Sequence, residues 1–511
     1  MPTIRKRLGI CLLTLGLLAV GCSQSTSDPE GVATSSTEGV ATSSTEGVAT
    51  SSTEGVATSS TEGVATSSTE GVATSSTEGV ATSSTEALEP PSSSSGNDDD
   101  GTDGPAAIVP VGADTPGVTD DTITVAFIIT DTTAVAAAFG WEVPTEGNRE
   151  AQVAALVEDV NARGGVAGRT IDAKVHVFNA ITDGPVAEEA LCNGITQDDQ
   201  AFAVVMTGQF QENARPCYAN AKTLMLDATL YPVDDVGFDE LAPYLWSPFL
   251  PSYDNLTSGM ASSLTDSGWF GSGTVGVVSI DSDLSRRAYA QEFVPVLDAA
   301  GVEVASFNSI DPTDGRVFET GLLQAIVNFK EANVDRVVAI GGSRLISWFI
   351  NTAITQNFEP QYAVSSYDSP DFNIFNYGPQ MVGATGISVL PGADVADDQW
   401  PFPANDAEAA CVDVFSDAGL AVDDRATVRT GLMFCDALQL LRAAGDGATE
   451  ISAAGFGESM WALDTSFEAA SVYSVQFERG QYAGGGAFMP FAFDAGCECM
   501  VVSGSPVDFD G

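Results

Sequence analysis

The sequence predicts an α/β protein with parallel sheets, and three observations carry that expectation. From Thr119 onward, apolar segments of strand length alternate with amphipathic segments of helix length. Such βαβ alternation specifies parallel strands covered by helices. The pattern runs once, breaks at Ser247-Pro248-Phe249-Leu250-Pro251, and restarts at Thr274. About 390 residues lie beyond position 118, which at about 100 to 200 residues per domain suggests two domains.

The first block opens with TITVAFII (122–129), an uninterrupted apolar run that reads as a buried strand. REAQVAALVEDVNARGG (149–165) follows as a helix, with Val153, Leu156, Val157 and Val160 at helical spacing and a stop at Gly164-Gly165. IDAKVHVF is the next strand, PVAEEALCNGI a helix with Pro185 in its first turn, and AFAVVMTG a second buried strand. A helix around 216–221 leads to the strand TLMLDAT.

The second block repeats the scheme. Its strands are TVGVVSI (274–280), VEVASFNS, DRVVAIGG, QYAVSS and MVGATGISVL, separated by helices over 286–300, 316–332 and 344–356. Beyond Pro391 the chain turns helical around 404–417, 426–444 and 455–463, and it ends in a β-like tail, SVYSVQFERGQYAGGGAFMPFAFDAGCECMVV.

Ahead of the alternating pattern, Arg5, Lys6 and Arg7 precede an apolar run from Leu8 to Val20, then small residues and a cysteine. This is the pattern of an export signal over 1–21, too short for the roughly 20 apolar residues of a membrane-spanning helix. Leu18-Ala19-Val20-Gly21-Cys22 resembles a bacterial lipobox, which implies a lipid on Cys22; Ala19-Val20-Gly21 also satisfies ordinary signal cleavage. From Glu30 the chain then writes EGVATSST seven times in succession. A unit with one Val and one Ala, at a period matching neither helix nor strand, buries too little to offset about 1–2 kcal/mol of conformational entropy per residue. Residues 22–118 are therefore expected to form a disordered tether with a reach of roughly 50–60 Å.

The formal net charge of −51 excludes nucleic acid as a partner, because phosphate binding needs a basic surface. Cys192, Cys217, Cys411, Cys435, Cys497 and Cys499 make an even set in an exported chain, so disulfides are expected. Proximity favours Cys192 with Cys217 and Cys411 with Cys435; the pairing of Cys497 and Cys499 stays open, a short-loop disulfide being one alternative, and a metal site is disfavoured because no histidine or second close cysteine pair accompanies them. Gly271-Ser272-Gly273-Thr274-Val275-Gly276 fits the dinucleotide fingerprint in letters, but it leads into a strand instead of following one and opening a helix. His176 is the sole histidine, alternating with Val175 and Val177 on a strand, and no G-x-S-x-G elbow occurs. No enzyme, metal or cofactor is expected.

Asn161-Ala-Arg-Gly-Gly-Val-Ala-Gly-Arg-Thr-Ile171 is similar to the N-x-x-G-G-x-x-G-R-x-I that follows the first helix in type I periplasmic binding proteins of the branched-chain amino acid (Leu/Ile/Val) class. With the order of strands, the resemblance extends from Gly117 to the C-terminus. It implies a monomeric solute receptor of an ABC importer, held at the outer side of the cell membrane as a lipoprotein, with two Rossmann-like lobes joined by three crossovers near 249, 391 and 480. The lobes would be 119–248 plus 392–480, and 249–391 plus 481–511. The family's cleft would then be lined by Trp141, Gly208, Gln209, Phe210, Ala228 and Thr229 from the first lobe and Ser285, Arg344, Tyr367 and Asp368 from the second. Thr229 and the 208–210 loop would hold a carboxylate and Asp368 an ammonium, while Arg344 leaves an acidic solute open. A sensor that uses the same clamp without transport, or an adhesion module on a stalk, are the alternatives.

Overall fold

The computed structural model describes residues 109–143, 146–208 and 212–509. The signal segment, Cys22, the repeats and the site candidates Gln209 and Phe210 lie outside the described residues. No described helix is long and apolar enough to cross a membrane.

One sheet holds β1 (Thr122–Asp131), β2 (Thr170–Asn179), β3 (Ala203–Gly208), β4 (Leu224–Thr229) and β5 (Leu245–Trp246), in the order β2-β1-β3-β4-β5. All its pairs are parallel, with Thr122 opposite Thr170 and Asp131 opposite Asn179. β1 is buried from Ile123 to Thr130, as its uninterrupted apolar run requires when helices cover both faces. On one face packs the helix Arg149–Ala162, capped by the Asn148 side chain, together with the helix Arg425–Gly447 from far along the chain. On the other face Cys192, Ile195, Tyr218 and Phe238 form a separate cluster.

The N-x-x-G-G motif has a structural role here. Asn161 exchanges two hydrogen bonds with the Ile171 backbone, and Arg169, 2% exposed, donates to the Thr119 and Ala167 carbonyls.

The second sheet runs β7 (Val304–Ile310), β6 (Val275–Ile280), β8 (Arg336–Ile340), β9 (Gln361–Ser365), β10 (Thr385–Ser388), β11 (Ala487–Asp494) and β12 (Cys499–Val502), with β13 (Val507–Asp508) paired to β11. β6 to β10 are parallel; β11 joins antiparallel to β10, and β12 and β13 antiparallel to β11. The chain passes between the sheets three times: after Trp246, after Ser388 and before Ala487. The first and last passages touch, Ser247 bridging Ala483. Gly485 is required there, since a Cβ would lie 2.3 Å from the Pro251 nitrogen.

Three differences from the sequence reading have physical causes. Residues 109–118, expected in the tether, are bound to the first lobe: Gly112 N–H donates to the Ile451 carbonyl (3.0 Å) and Ile451 N–H to that of Pro110 (2.8 Å). The helix Tyr253–Asp266 was not anticipated because its buried stripe, Leu256, Met260 and Leu264, is narrow and set among Ser and Thr. The helix expected from 286 begins at Asp283 and contains a π-turn, Ala288–Phe293, ahead of Pro295, whose missing N–H and ring disfavour a regular turn.

The cysteines pair as Cys192–Cys217, Cys411–Cys435 and Cys497–Cys499. Gly271 to Gly276 forms a turn into β6, and His176 Nε2 meets the Asp199 carboxylate at 2.7 Å on β2.

Candidate functional site

Parallel strands end in loops on one side of their sheet, which is where open α/β folds place ligands. Here the carboxyl ends of the two sheets face each other across a cavity of about 780 Å³. The first lobe lines it with Thr130 at the end of β1, Thr132 and Thr133 after it, Thr207 and Gly208 at the end of β3, and Ala228 in β4. The second lobe supplies Ser343, Arg344, Ser347 and Trp348 after β8, and Ser366, Ser369, Asp371 and Phe372 after β9. Asp394 reaches it from the middle passage, and Arg429, Thr430 and Met433 from the helix Arg425–Gly447.

At the base of the first lobe the Thr130 hydroxyl donates to the Thr207 carbonyl (2.8 Å) and the Thr207 hydroxyl to that of Ile128 (3.2 Å). Gly208 sits beside them with φ +99°, and a Cβ would come within 2.7 Å of Thr130 Oγ1. Arg149 Nη1 donates to the Thr130 carbonyl at 2.7 Å and pairs with Glu146 at 3.0 Å.

The segment after β1 leaves the first lobe and lies against the second. A short helix, Thr133–Phe139, ends at left-handed Gly140, and Glu142 N–H then donates to Asn376 Oδ1 (3.0 Å) while Asn376 Nδ2 donates to the Glu142 carbonyl (3.1 Å). Trp141 meets Trp348 and Phe372 with ring centroids 5.4 Å apart in each case, and Phe139 meets Trp348 at 4.7 Å. Two ion pairs also bridge the lobes, Arg344–Asp183 at 3.1 Å and Arg429–Asp371 at 3.4 Å.

Two buried carboxyl groups stand at the second lobe's strand ends. Asp394 Oδ2 accepts from the Ser366 hydroxyl (2.5 Å) and the Ser388 hydroxyl (2.7 Å), and burial pushes its carboxyl up to about 7. Asp368 is likewise raised to about 7 by burial, and accepts from the Ser365 N–H (2.7 Å) and hydroxyl (2.9 Å).

Of the residues expected to touch a ligand, Trp141, Gly208, Ala228 and Arg344 line the cavity. Four described ones do not, and each has a polar atom engaged within the protein. Thr229 accepts from Arg215 Nη2 (3.2 Å), and Ser285 is held by the N-cap Ser282, donating its N–H to the Ser282 hydroxyl (3.1 Å) and accepting from it (3.0 Å). The Tyr367 hydroxyl donates to the Pro251 carbonyl (3.1 Å), and Asp368 closes the turn at Ser365. Asp371 and Asp394 line the cavity where Asp368 does not. Arg149, Arg429, Trp348 and Phe372 were also missed; Trp348 and Phe372 lay within turns of strand-end loops already singled out, but Arg429 carries no local signal.

No family model matches the chain, and no curated protein matches it. Among solved structures, a type 1 periplasmic binding protein from Bordetella pertussis Tohama I is 14% identical, covering 76% of this chain and 100% of its own, with a TM-score of 0.54. A branched-chain amino acid ABC transporter protein from Thermus thermophilus with bound valine is 12% identical, with coverages of 76% and 97% and a TM-score of 0.53. An ABC transporter solute-binding protein from R. palustris in complex with 4-hydroxybenzoate is 13% identical, with coverages of 76% and 96% and a TM-score of 0.54. At these identities the likeness is one of fold, and the chain has the type I periplasmic binding protein fold.

Proposed function

We propose that this chain is an extracytoplasmic solute-binding lipoprotein of an ABC importer, capturing a small molecule in the interlobe cleft and delivering it to a permease. The observation that carries the reading is the cleft itself: two sets of strand ends, lined by hydroxyls, arginines and carboxylates, meet around one cavity of about 780 Å³. Closure of the lobes excludes water and strengthens each polar contact to the solute. The solute class is an amino acid or a related amide or carboxylate. A lipid on Cys22 would fix the N-terminus to the outer side of the membrane, and the repeats would let a monomeric receptor range from it.

Thermal unfolding of the purified full-length protein against amino acids, short amides, small carboxylates and sugars tests this. A solute at about a thousand times its dissociation constant stabilises the folded state by roughly 4 kcal/mol. One responding class supports a receptor; a flat response from a cooperatively unfolding sample overturns it in favour of an adhesion module. Equal response with no permease association would point to a sensor.

A further inference from the structure

Size, ring content and charge of the cleft together narrow the ligand, on the reading that the cleft is a receptor site. The cavity of about 780 Å³ persists although two ion pairs and a ring cluster already bridge the lobes. Pockets of about 300–1,000 Å³ hold drug-sized ligands, and a single branched-chain amino acid would leave most of this one filled with water. One wall is aromatic: Phe139, Trp141, Trp348 and Phe372 stand with centroids 4.7–5.4 Å apart, in edge-to-face or tilted arrangements, and Phe139 remains 50% exposed. Rings so arranged present faces and edges to a further ring at a gain of about 0.5–1.5 kcal/mol beyond area burial.

Each lining cation already has a carboxylate partner. Among the described lining residues, Arg149 faces Glu146, Arg344 faces Asp183 and Arg429 faces Asp371, while Asp394 adds a further carboxyl. The surrounding chain is itself strongly acidic, at −51, which lowers the local concentration of anions. A zwitterion fits this arrangement, since its carboxylate and ammonium can each take one partner of an interlobe pair without changing the cleft's net charge.

We infer that the cleft takes an aromatic, net-neutral zwitterion about twice the size of an amino acid, its rings on the Trp141–Trp348–Phe372 wall and its charges exchanged into the interlobe ion pairs. Three probes separate the components: phenylalanyl-phenylalanine, its N-acetylated form with the same rings but a net negative charge, and isoleucine. Titration of the full-length protein, followed by tryptophan emission and calorimetry, is expected to rank the zwitterionic dipeptide at least tenfold above the acetylated one and at least a hundredfold above isoleucine. Trp348→Ala is expected to weaken the dipeptide at least tenfold; the ranking on the unmodified protein stands even where that variant does not fold. Isoleucine equal to or tighter than the dipeptide overturns the inference and leaves the receptor reading intact, as does preference for the acetylated anion. No response to any of the three overturns the inference, and the wider solute panel then decides the receptor reading separately.

Discussion

Guanidinium–carboxylate pairs inside the lobes and pairs across the seam between them are built from the same groups but sit in opposite surroundings. Within the first lobe, Arg425 and Glu408 are 3% and 1% exposed at 2.8 Å, and Glu408 also accepts from the Ala404 N–H. Arg215 and Asp227 are similarly enclosed at 2.6 Å, with Thr229 and the Tyr231 carbonyl taking further donors. At the seam, Arg344 is 45% exposed opposite Asp183, and Arg429 meets Asp371 at a longer 3.4 Å. Removing one partner of an enclosed pair strands a buried charge, whereas an exposed pair is screened and worth little. The enclosed pairs therefore hold the first lobe together more strongly than the seam's ion pairs hold the two lobes to each other.

Glu408→Gln gives the largest expected effect. It should cost about 3–5 kcal/mol, read by urea unfolding, and a loss no greater than that of Arg344→Ala would break the comparison. Replacing Cys411 and Cys435 together by serine, which unlinks the helices Asp406–Asp417 and Arg425–Gly447, should cost about 3 kcal/mol in the same assay.

A further effect follows from pH. Asp368, Asp394 and Asp436 are raised by burial to about 7, so between the unfolded carboxyl range and neutrality the folded state holds protons that the unfolded chain has lost. Their contribution is complete below about pH 4 and disappears as pH rises through about 7, so the melting temperature should fall from pH 5.5 to pH 8. Asp394→Asn should shrink that fall; an unchanged slope would remove Asp394 from the account. Least of all, Arg344→Ala should change stability by under about 1 kcal/mol, and a double-mutant cycle with Asp183→Asn that couples the two more strongly would show the seam to be held as firmly as the first lobe.

The strand–helix alternation and the Asn161–Ile171 motif made the lobes legible, because both reflect local packing that sequence periodicity records. The cleft was legible to the level of loops but not of side chains. Ser366-Tyr367-Asp368-Ser369 illustrates why: residues 366–368 form a 3₁₀ turn, in which positions three apart share a side. Ser366 and Ser369 consequently line the cavity, while Tyr367 and Asp368 turn into the protein. Choosing between these two pairs requires the turn geometry, and the sequence reading took the bulkier, more chemically conspicuous pair. Arg429 was beyond reach for another reason, since it enters from a helix roughly 200 residues past the sheet it covers.

That late-arriving helix sets a timetable for synthesis. The strands β1 to β4 are complete by Thr229, but the helix that covers β3 and β4, on the face it shares with Arg149–Ala162, begins at Arg425. At about 5–20 residues per second, roughly 200 intervening residues take on the order of ten to forty seconds. Through that interval the part of this face meant for Leu432, Leu438 and Leu441 has no native cover, and closing so long a loop slows folding further. The nascent first lobe is thus held incomplete by its own connectivity until the chain is nearly finished.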